Sequence, residues 1–516
     1  MYPNEEARKN PNRIAAVMGG SGRQLTYGQL DASANQLAHL FRDQGLVRHD
    51  HVAFFMENSL ELIVACSAGE RSGLYYSAID AKFTAEEAAW IVNNSTARVV
   101  ITTVALRPVA EELVKRCPQV ERWLMVGLEQ SEGPFESYTK VTETLPTSPQ
   151  ADERVGAYMA YTSGTTGRPK GIARELPDMA PSDPLPIMAF VAEIYRLHPG
   201  CVTLVPGPLH HMGGQAPASL TIRLGGTVVI MEHFDPQKYV ELVDTYQVTN
   251  SLVVPTMMSR MLALPAEFKE KHTMASMETL LHGAAPCPTS VKQQMIDWVG
   301  PVVYEYYGAT EGNGITFVDS GEALERPGTV GRAKVGEIVI LDDDGNELPT
   351  GSIGQVWFRG RINYEYFDDE KKTAESRTPD AMLSTVGDIG FLDEDGYLFL
   401  TDRVAFTIVS GGVNIYPQEI ENVLADHPDV ADVAVIGVPN KDRGEEVKAI
   451  VQLRDGIDPD TYDSQILLDA CEGRLAKFKR PRSIDYVDEV PRSSNGKLDK
   501  KGLRKKYWEG HATPLV

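Results

Sequence analysis

Up to about residue 310 the chain alternates between two hydrophobic rhythms. Apolar residues recurring every three to four positions at 30–44, 60–71, 85–94, 236–246 and 289–299 predict helices. Short apolar runs at 52–55, 98–103, 226–231, 250–254, 279–281 and 301–306 predict strands. Strands joined by helices imply parallel sheets, with ligand loops at the carboxyl ends of the strands.

From about residue 327 the pattern becomes β-rich. Runs at 336–341 and 354–358 predict strands separated by the turn Asp342-Asp343-Asp344-Gly345-Asn346, and a run at 396–401 follows the acidic turn at 393–395. Beyond Arg403 the alternation returns: a strand at 406–409, a helix at 417–425, strands at 430–438 and 446–453, and a helix at 463–475 before a basic, proline-bearing loop. The polar segment ending in Asn495-Gly496-Lys497 predicts a mobile surface loop. This change of texture places a boundary at 402–406, giving an N-terminal domain, 1–402, and a C-terminal domain, 403–516. The fold class expected is α/β, a large domain of parallel sheets flanked by helices with a β-rich subdomain, followed by a small α+β domain.

Composition narrows the function classes. At 516 residues the chain exceeds one ordinary core, and 42% hydrophobic with 24% charged residues is the balance of a soluble globular protein. No apolar run reaches the roughly 20 residues that span a bilayer. Met1-Tyr2-Pro3-Asn4-Glu5-Glu6 lacks the basic-then-apolar order of a signal peptide, so a cytoplasmic location without stable membrane insertion is expected. Five scattered cysteines with no Cys-x-x-Cys pair argue against a disulfide framework and structural zinc. His210 and His211 are adjacent, the wrong spacing for two ligands on one helix face, so a metal held only by side-chain nitrogens is not expected. A formal net charge of −22 repels nucleic acid and anionic membranes. Positive charge for a polyphosphate must be local, and Lys170, Arg403, the segment 477–482 and Lys497 are the places for it.

Tyr161-Thr162-Ser163-Gly164-Thr165-Thr166-Gly167-Arg168-Pro169-Lys170-Gly171 concentrates the atoms that hold a polyphosphate. Glycines let backbone N–H groups approach phosphate oxygens, and hydroxyls and a lysine add donors and charge. The apolar run at 155–161 predicts a buried strand feeding it. It is not a Walker loop, because Lys170 is followed by Gly171 instead of Ser or Thr.

Other constellations have two readings each. In Tyr306-Tyr307-Gly308-Ala309-Thr310-Glu311-Gly312, a tyrosine beside glycine can stack a purine, Thr310 can donate to a phosphate and Glu311 can ligate Mg²⁺; the alternative is a strand end with a core tyrosine and a solvated glutamate. Gly387-Asp388 with Asp402-Arg403 can bind a ribose or form ordinary turns. Ser410-Gly411-Gly412 is a helix-entry loop or a place where a ligand nears the backbone. Lys497 is either solvated or swings in to neutralise developing charge.

These segments, together with Pro208-Leu209-His210-His211 and Gly283-Ala284-Ala285-Pro286, resemble in their order the adenylate-forming superfamily, which includes acyl- and aryl-CoA synthetases, peptide-synthetase adenylation domains and luciferases. The resemblance covers essentially the whole chain. It implies that a carboxylate attacks the α-phosphorus of Mg·ATP to give an acyl-adenylate and pyrophosphate, and that CoA thiolate then displaces AMP. By matching positions, Thr162, Ser163, Gly164, Thr165, Thr166, Gly167 and Lys170 would hold the β- and γ-phosphates, with Thr165 also near the metal. Gly283, Ala284 and Ala285 would line the adenine and Tyr307 and Gly308 would stack on it. Thr310 would contact the α-phosphate, Glu311 would hold Mg²⁺, and Asp388 and Arg403 would bind the ribose. Lys497 would bridge the acyl carboxylate and α-phosphate, and His211 matches the histidine beside the acyl group. Ser410, Gly411, Gly412 and the basic segment containing Lys479 look like pantetheine and CoA surfaces.

The resemblance also implies that the small C-terminal domain rotates between half-reactions. Ala405 and Phe406 replace the charged residues usual at the hinge, and His210 stands where phenylalanine or tyrosine is usual. The acid pocket is expected from 206–214, 254–258, 281–283, 306, 308–309 and 313–315, where methionines and glycines fit a medium-chain, aryl or alicyclic acid, with a lean towards steroid side chains. A CoA ligase is the favoured expectation, since the sequence ends after the lysine loop with no carrier domain appended. A stand-alone enzyme loading a carrier protein is the runner-up and a non-catalytic nucleotide-binding protein the third. Oligomeric state is left open, a homodimer included.

Overall fold

In the computed structural model, which describes residues 1–162, 168–184, 186–360, 362–403, 406–410, 413–441, 443–493 and 496–509, the apolar runs pair into two large sheets. One is six-stranded and all parallel, in the order Phe135–Ser137, Arg122–Val126, Val99–Thr103, His51–Phe55, Tyr75–Ile79 and Ala157–Tyr158. The other is nine-stranded: Thr279–His282, Asn250–Val253, Val202–Val205 and Thr227–Ile230 form its parallel centre, and antiparallel strands close both edges.

Alternation along these strands explains why they read as continuous apolar runs: both faces are covered. Val52, Phe54 and Ile101 of one sheet and Met18, Val205 and Ile230 of the other share a core with helices Tyr27–Asp43 and Leu60–Arg71. Ala53, Phe55 and Val100 face Ile91 and Leu113 on the far side, while Val17, Leu204 and Val229 face Tyr239, Val243 and Met295. Every residue of Leu60–Arg71 except Glu61 is buried, as expected of a helix between two sheets. Capping boxes Thr26/Gln29 and Thr84/Glu87 fix two of the helix starts. Among the described residues no helix is long and apolar enough to cross a membrane.

The β-rich subdomain is an antiparallel sheet of Glu337–Leu341, Gly354–Arg359, Asp388–Leu392 and Leu398–Arg403, with Leu383–Ser384 paired to its second strand. The C-terminal region has its own sheet. Ile408–Ser410, Val413–Ile415, Val430–Asn440 and Gly444–Leu453 are antiparallel, and Ser483–Tyr486 joins in parallel. Ile420, Leu424 and Leu467 cover one face of it and Leu503 the other.

Three expectations change in detail. The run at 155–161 is divided: Ala157–Tyr158 closes the six-stranded sheet, and Ala160–Thr162 pairs antiparallel with Lys170–Ala173. The glycine-rich segment therefore connects two antiparallel strands and does not open a helix. The helix expected at 463–475 spans only Ser464–Ala470, with Gly473 at φ +75° beyond it. Helix Met212–Arg223 was not expected, because Gly213, Gly214 and Pro217 lower its intrinsic propensity; burial of Ala218, Leu220 and Ile222 compensates.

Candidate active site

The carboxyl ends of the nine-stranded sheet, the antiparallel subdomain and the C-terminal region surround one continuous cavity of about 3460 Å³. That is several times a drug-sized site of roughly 300–1,000 Å³, so more than one ligand group can be held along it.

At its phosphate end, Thr162 and Lys170 are cross-strand partners and both line the cavity. Tyr161, the first residue of the motif, turns into the core and donates to Asn94 Oδ1 at 2.7 Å, so it anchors the strand. Lys170 Nζ lies 3.0 Å from Asp369 Oδ2 and over the Tyr366 ring at 5.6 Å. Asp369 is held below the usual carboxylate range, first by the Lys372 backbone N–H and then by Lys170. Tyr366 donates to Glu311 Oε1 at 2.8 Å. Arg174 donates to the Thr310 carbonyl; burial lowers its pKa, opposed by the Glu311 carboxylate. Thr310 and Glu311 therefore stand between a lysine and an arginine, and both line the cavity. Ser163, Gly164, Thr165, Thr166 and Gly167 lie outside the described residues.

At the base end, Gly283 is fixed by close approach: a Cβ there would lie 2.7 Å from the Tyr306 carbonyl oxygen. Ala284 follows with φ +66°, a left-handed conformation uncommon for a residue with a side chain. Ala284, Ala285, Tyr307 and Gly308 line the cavity. The Tyr307 hydroxyl donates to Asp388 Oδ2 at 2.6 Å, and Asp388 is paired in register with Arg403 on the next strand. Tyr307 and Asp388, the residues expected to meet a base and a ribose, are thus one connected unit.

His211 is the N-cap residue of helix Met212–Arg223 and lines the cavity. Its pKa is lowered to about 3, by burial first and then by His210, with Lys497 adding to the effect and Asp80 opposing it. Lys497 and His211 line the same cavity. Lys497 sits on a hairpin that is internally well held. Arg492 grips Asp432 through two bonds of 2.7 Å and donates to the Gly496 carbonyl at 2.7 Å, while the Ser493 N–H donates to the Lys497 carbonyl at 2.9 Å. The tip docks on the large domain: a Cβ on Gly496 would lie 2.9 Å from Val254 Cγ2 and 3.1 Å from Thr256 Oγ1. Arg260–Glu489 at 3.4 Å and Ser290–Asp426 at 3.2 Å join the same two bodies.

Gly283, with its neighbours Leu281 and His282, is buried and does not line this cavity, and two further expected residues stand apart from it. Ser410 is at a strand end, and Lys479 is tied to Glu419 by bonds of 2.9 and 2.6 Å; neither lines it. Gly411 and Gly412 lie outside the described residues, as does Ala405.

Sequence reasoning missed a buried cluster beneath the base end. His282 and Glu305 are cross-strand partners, with Nδ1 3.9 Å from Oε1, and Lys292 donates to Glu305. Burial lowers His282 to about 4, opposed by Glu305. Burial also pulls on Lys292, but the Glu305 carboxylate prevails and its pKa rises. Residues 305 and 307 share one strand face, so strand period two was the available signal for Glu305.

The family described as AMP-binding enzyme matches residues 4–365, and its C-terminal domain matches residues 419–497. The chain is 32% identical over 498 residues to the fatty acid–[acyl-carrier-protein] ligase ScoC of Streptomyces coeruleorubidus, covering 94% of this chain and 92% of that protein. It is 30% identical to a medium/long-chain-fatty-acid–CoA/3-oxocholest-4-en-26-oate–CoA ligase of Mycolicibacterium smegmatis (strain ATCC 700084 / mc(2)155), covering 95% and 92%. ATP-bound MatB from Rhodopseudomonas palustris superposes with a TM-score of 0.83 at 28% identity, covering 98% and 99% of the two chains. Its apo form superposes less closely, with a TM-score of 0.71 at 29% identity, covering 98% and 99%.

Proposed function

Because the chain belongs to the AMP-binding enzyme family and is an acid–thiol ligase of the AMP-forming type, we propose that it is an acyl-CoA ligase, held here in the arrangement that makes the acyl-adenylate. The observation that carries this reading is the Lys497 hairpin, docked by Gly496 on Val254 and Thr256 with Lys497 and His211 lining one cavity. The closer match to the ATP-bound relative than to its apo form agrees with it.

In the first half-reaction the acid's carboxylate attacks the α-phosphorus and pyrophosphate leaves. No side chain is needed as nucleophile, so catalysis rests on positioning and on stabilising anionic oxygens. Tyr307 and the 283–285 turn hold the base, Asp388 and Arg403 the ribose, and Lys170 with the glycine-rich segment the departing phosphates. Lys497 bridges the two reacting groups. Glu311 offers a buried, hard-oxygen carboxylate oriented by Tyr366, which fits Mg²⁺; that ion would neutralise phosphate charge when bound. In the second half-reaction CoA thiolate displaces AMP. Ser410 and the basic segment around Lys479, both away from the cavity, become the thiol face once the C-terminal domain has turned.

The acid fits beside His211, against Met212, Gly213, Gly214, Leu252, Tyr306 and Ile315. This lining suits a medium-chain, aryl or alicyclic acid, steroid side chains included. A carrier-protein thiol is the second reading, favoured by the relative named as an acyl-carrier-protein ligase. ATP–pyrophosphate exchange over chemically diverse acids identifies the acid, and thioester formation with CoA then separates the acceptors. Exchange with no CoA consumption for any exchanging acid would replace the CoA ligase by the carrier-loading enzyme.

A further inference from the structure

We propose that Asp80, His210 and His211 form a binding site for one divalent transition-metal ion of the Zn²⁺ class, set in the cavity wall. This proposal stands on the geometry of three side chains and does not depend on which acid or thiol the enzyme uses.

One carboxylate oxygen and two imidazole nitrogens lie within 4.8 Å of one another. A tetrahedral ion with bonds of about 2.1 Å holds its ligand atoms roughly 3.4 Å apart. Asp80 Oδ2 and His210 Nε2 are 3.4 Å apart, and Nε2 is buried without a hydrogen bond. That separation is long for a charge-assisted bond and right for two ligands sharing an ion. Asp80 is 7% exposed, so the carboxylate and imidazole have been taken out of water together.

Hydrogen bonds hold the carboxylate and the backbone of the two histidines in place. The Lys82 backbone N–H donates to Asp80 Oδ1 at 2.9 Å, which orients the carboxylate and leaves Oδ2 towards His210. Tyr158 donates its hydroxyl to the His210 carbonyl, and the His211 N–H donates to the Pro208 carbonyl at 3.2 Å. Adjacent histidines cannot share a metal from one helix face, but this pair is not inside a helix. His211 is an N-cap residue with φ −98° and ψ 148°, and the chain there brings the two rings to 4.2 Å between centroids. Asp80, just beyond strand Tyr75–Ile79, supplies the oxygen that two histidines alone lacked. His211 also lines the cavity, so an open coordination position would face it, the arrangement of a three-ligand zinc site.

The test uses the full-length protein, chelator-treated and without ATP, titrated with Co²⁺ as a visible probe for Zn²⁺. The expected result is one Co²⁺ per chain with d–d absorption of a four- or five-coordinate N/O site, displaced by Zn²⁺. Asp80→Asn and His210→Phe should each weaken binding about 100-fold or more, with metal-free melting and far-UV dichroism showing that the fold is kept. His272→Gln and His198→Gln remove two other histidine–carboxylate pairs, at Asp244 and Glu278, and should leave the band unchanged. Absence of the band, an unchanged affinity in a folded His210→Phe, or loss of the band in His272→Gln or His198→Gln would each overturn the site.

Discussion

The nucleotide wall of the cavity and the lysine hairpin opposite it are built on different principles. On the wall every functional group is locked within one body: Tyr307 to Asp388 at 2.6 Å, Glu311 to Tyr366 at 2.8 Å, and Asp388 in register with Arg403. Asp388 is 5% and Glu311 8% exposed. The hairpin is held internally through Arg492 and Asp432, and Gly496 and the exposed Arg260–Glu489 pair bring it against the large domain, while the exposed Ser290–Asp426 pair joins the same two bodies away from the hairpin. Such exposed pairs contribute about 0–1 kcal/mol each. On the proposed function the wall holds ATP, whereas the lysine is delivered as a unit across the seam. A ligase with two half-reactions needs that asymmetry.

The comparison can be broken from either side. The largest effect expected is from Lys497→Ala, which removes the delivered cation and should lower acyl-adenylate formation about 10²–10³-fold in ATP–pyrophosphate exchange. Gly496→Ala attacks the seam instead. Gly496 has φ +78° and its Cβ would meet Val254, so docking becomes strained; adenylation should fall about tenfold while ATP affinity stays unchanged. A matching loss of ATP affinity in equilibrium binding would show that hairpin and wall are one unit. Tyr307→Phe tests the wall. Losing its bond to buried Asp388 should weaken ATP binding by about 1 kcal/mol, roughly fivefold in KM for ATP, and leave KM for the acid unchanged.

The smallest effect is on stability against pH. His282, buried under the wall, is lowered to about 4 from an ordinary value near 6.5. Between those values the unfolded chain binds a proton that the folded chain does not, so stability falls as pH drops from 6.5 towards 4. The loss at pH 5 should be on the order of 1 kcal/mol. Urea midpoints at pH 7 and pH 5 measure it, and a folded His282→Gln variant should show a shallower decline.

Much of this was legible in the chain. Parallel strands buried on both faces leave unbroken apolar runs, and capping boxes mark helix starts locally. The positions Thr162, Lys170, Tyr307, Thr310, Glu311, Asp388, His211 and Lys497 are brought to one cavity, as the order of motifs implied. The partners were not legible, because they arise between distant segments. Tyr366 on Glu311, Arg174 on Thr310, Asp369 on Lys170 and Lys292 on Glu305 have no local pattern that pairs them. Helix Met212–Arg223 was hidden for a related reason: its glycines and proline speak locally against a helix that burial imposes.

The central claim is that Lys497 acts in one half-reaction only, and its most direct test is to measure both halves in Lys497→Ala. Single-turnover formation of acyl-adenylate from acid and ATP should fall about 10²–10³-fold. Thioester formation from supplied acyl-adenylate and CoA should remain within about twofold of the unaltered enzyme. Equal losses in the two halves would contradict the account, since the lysine would then serve the cavity as a fixed part of its wall.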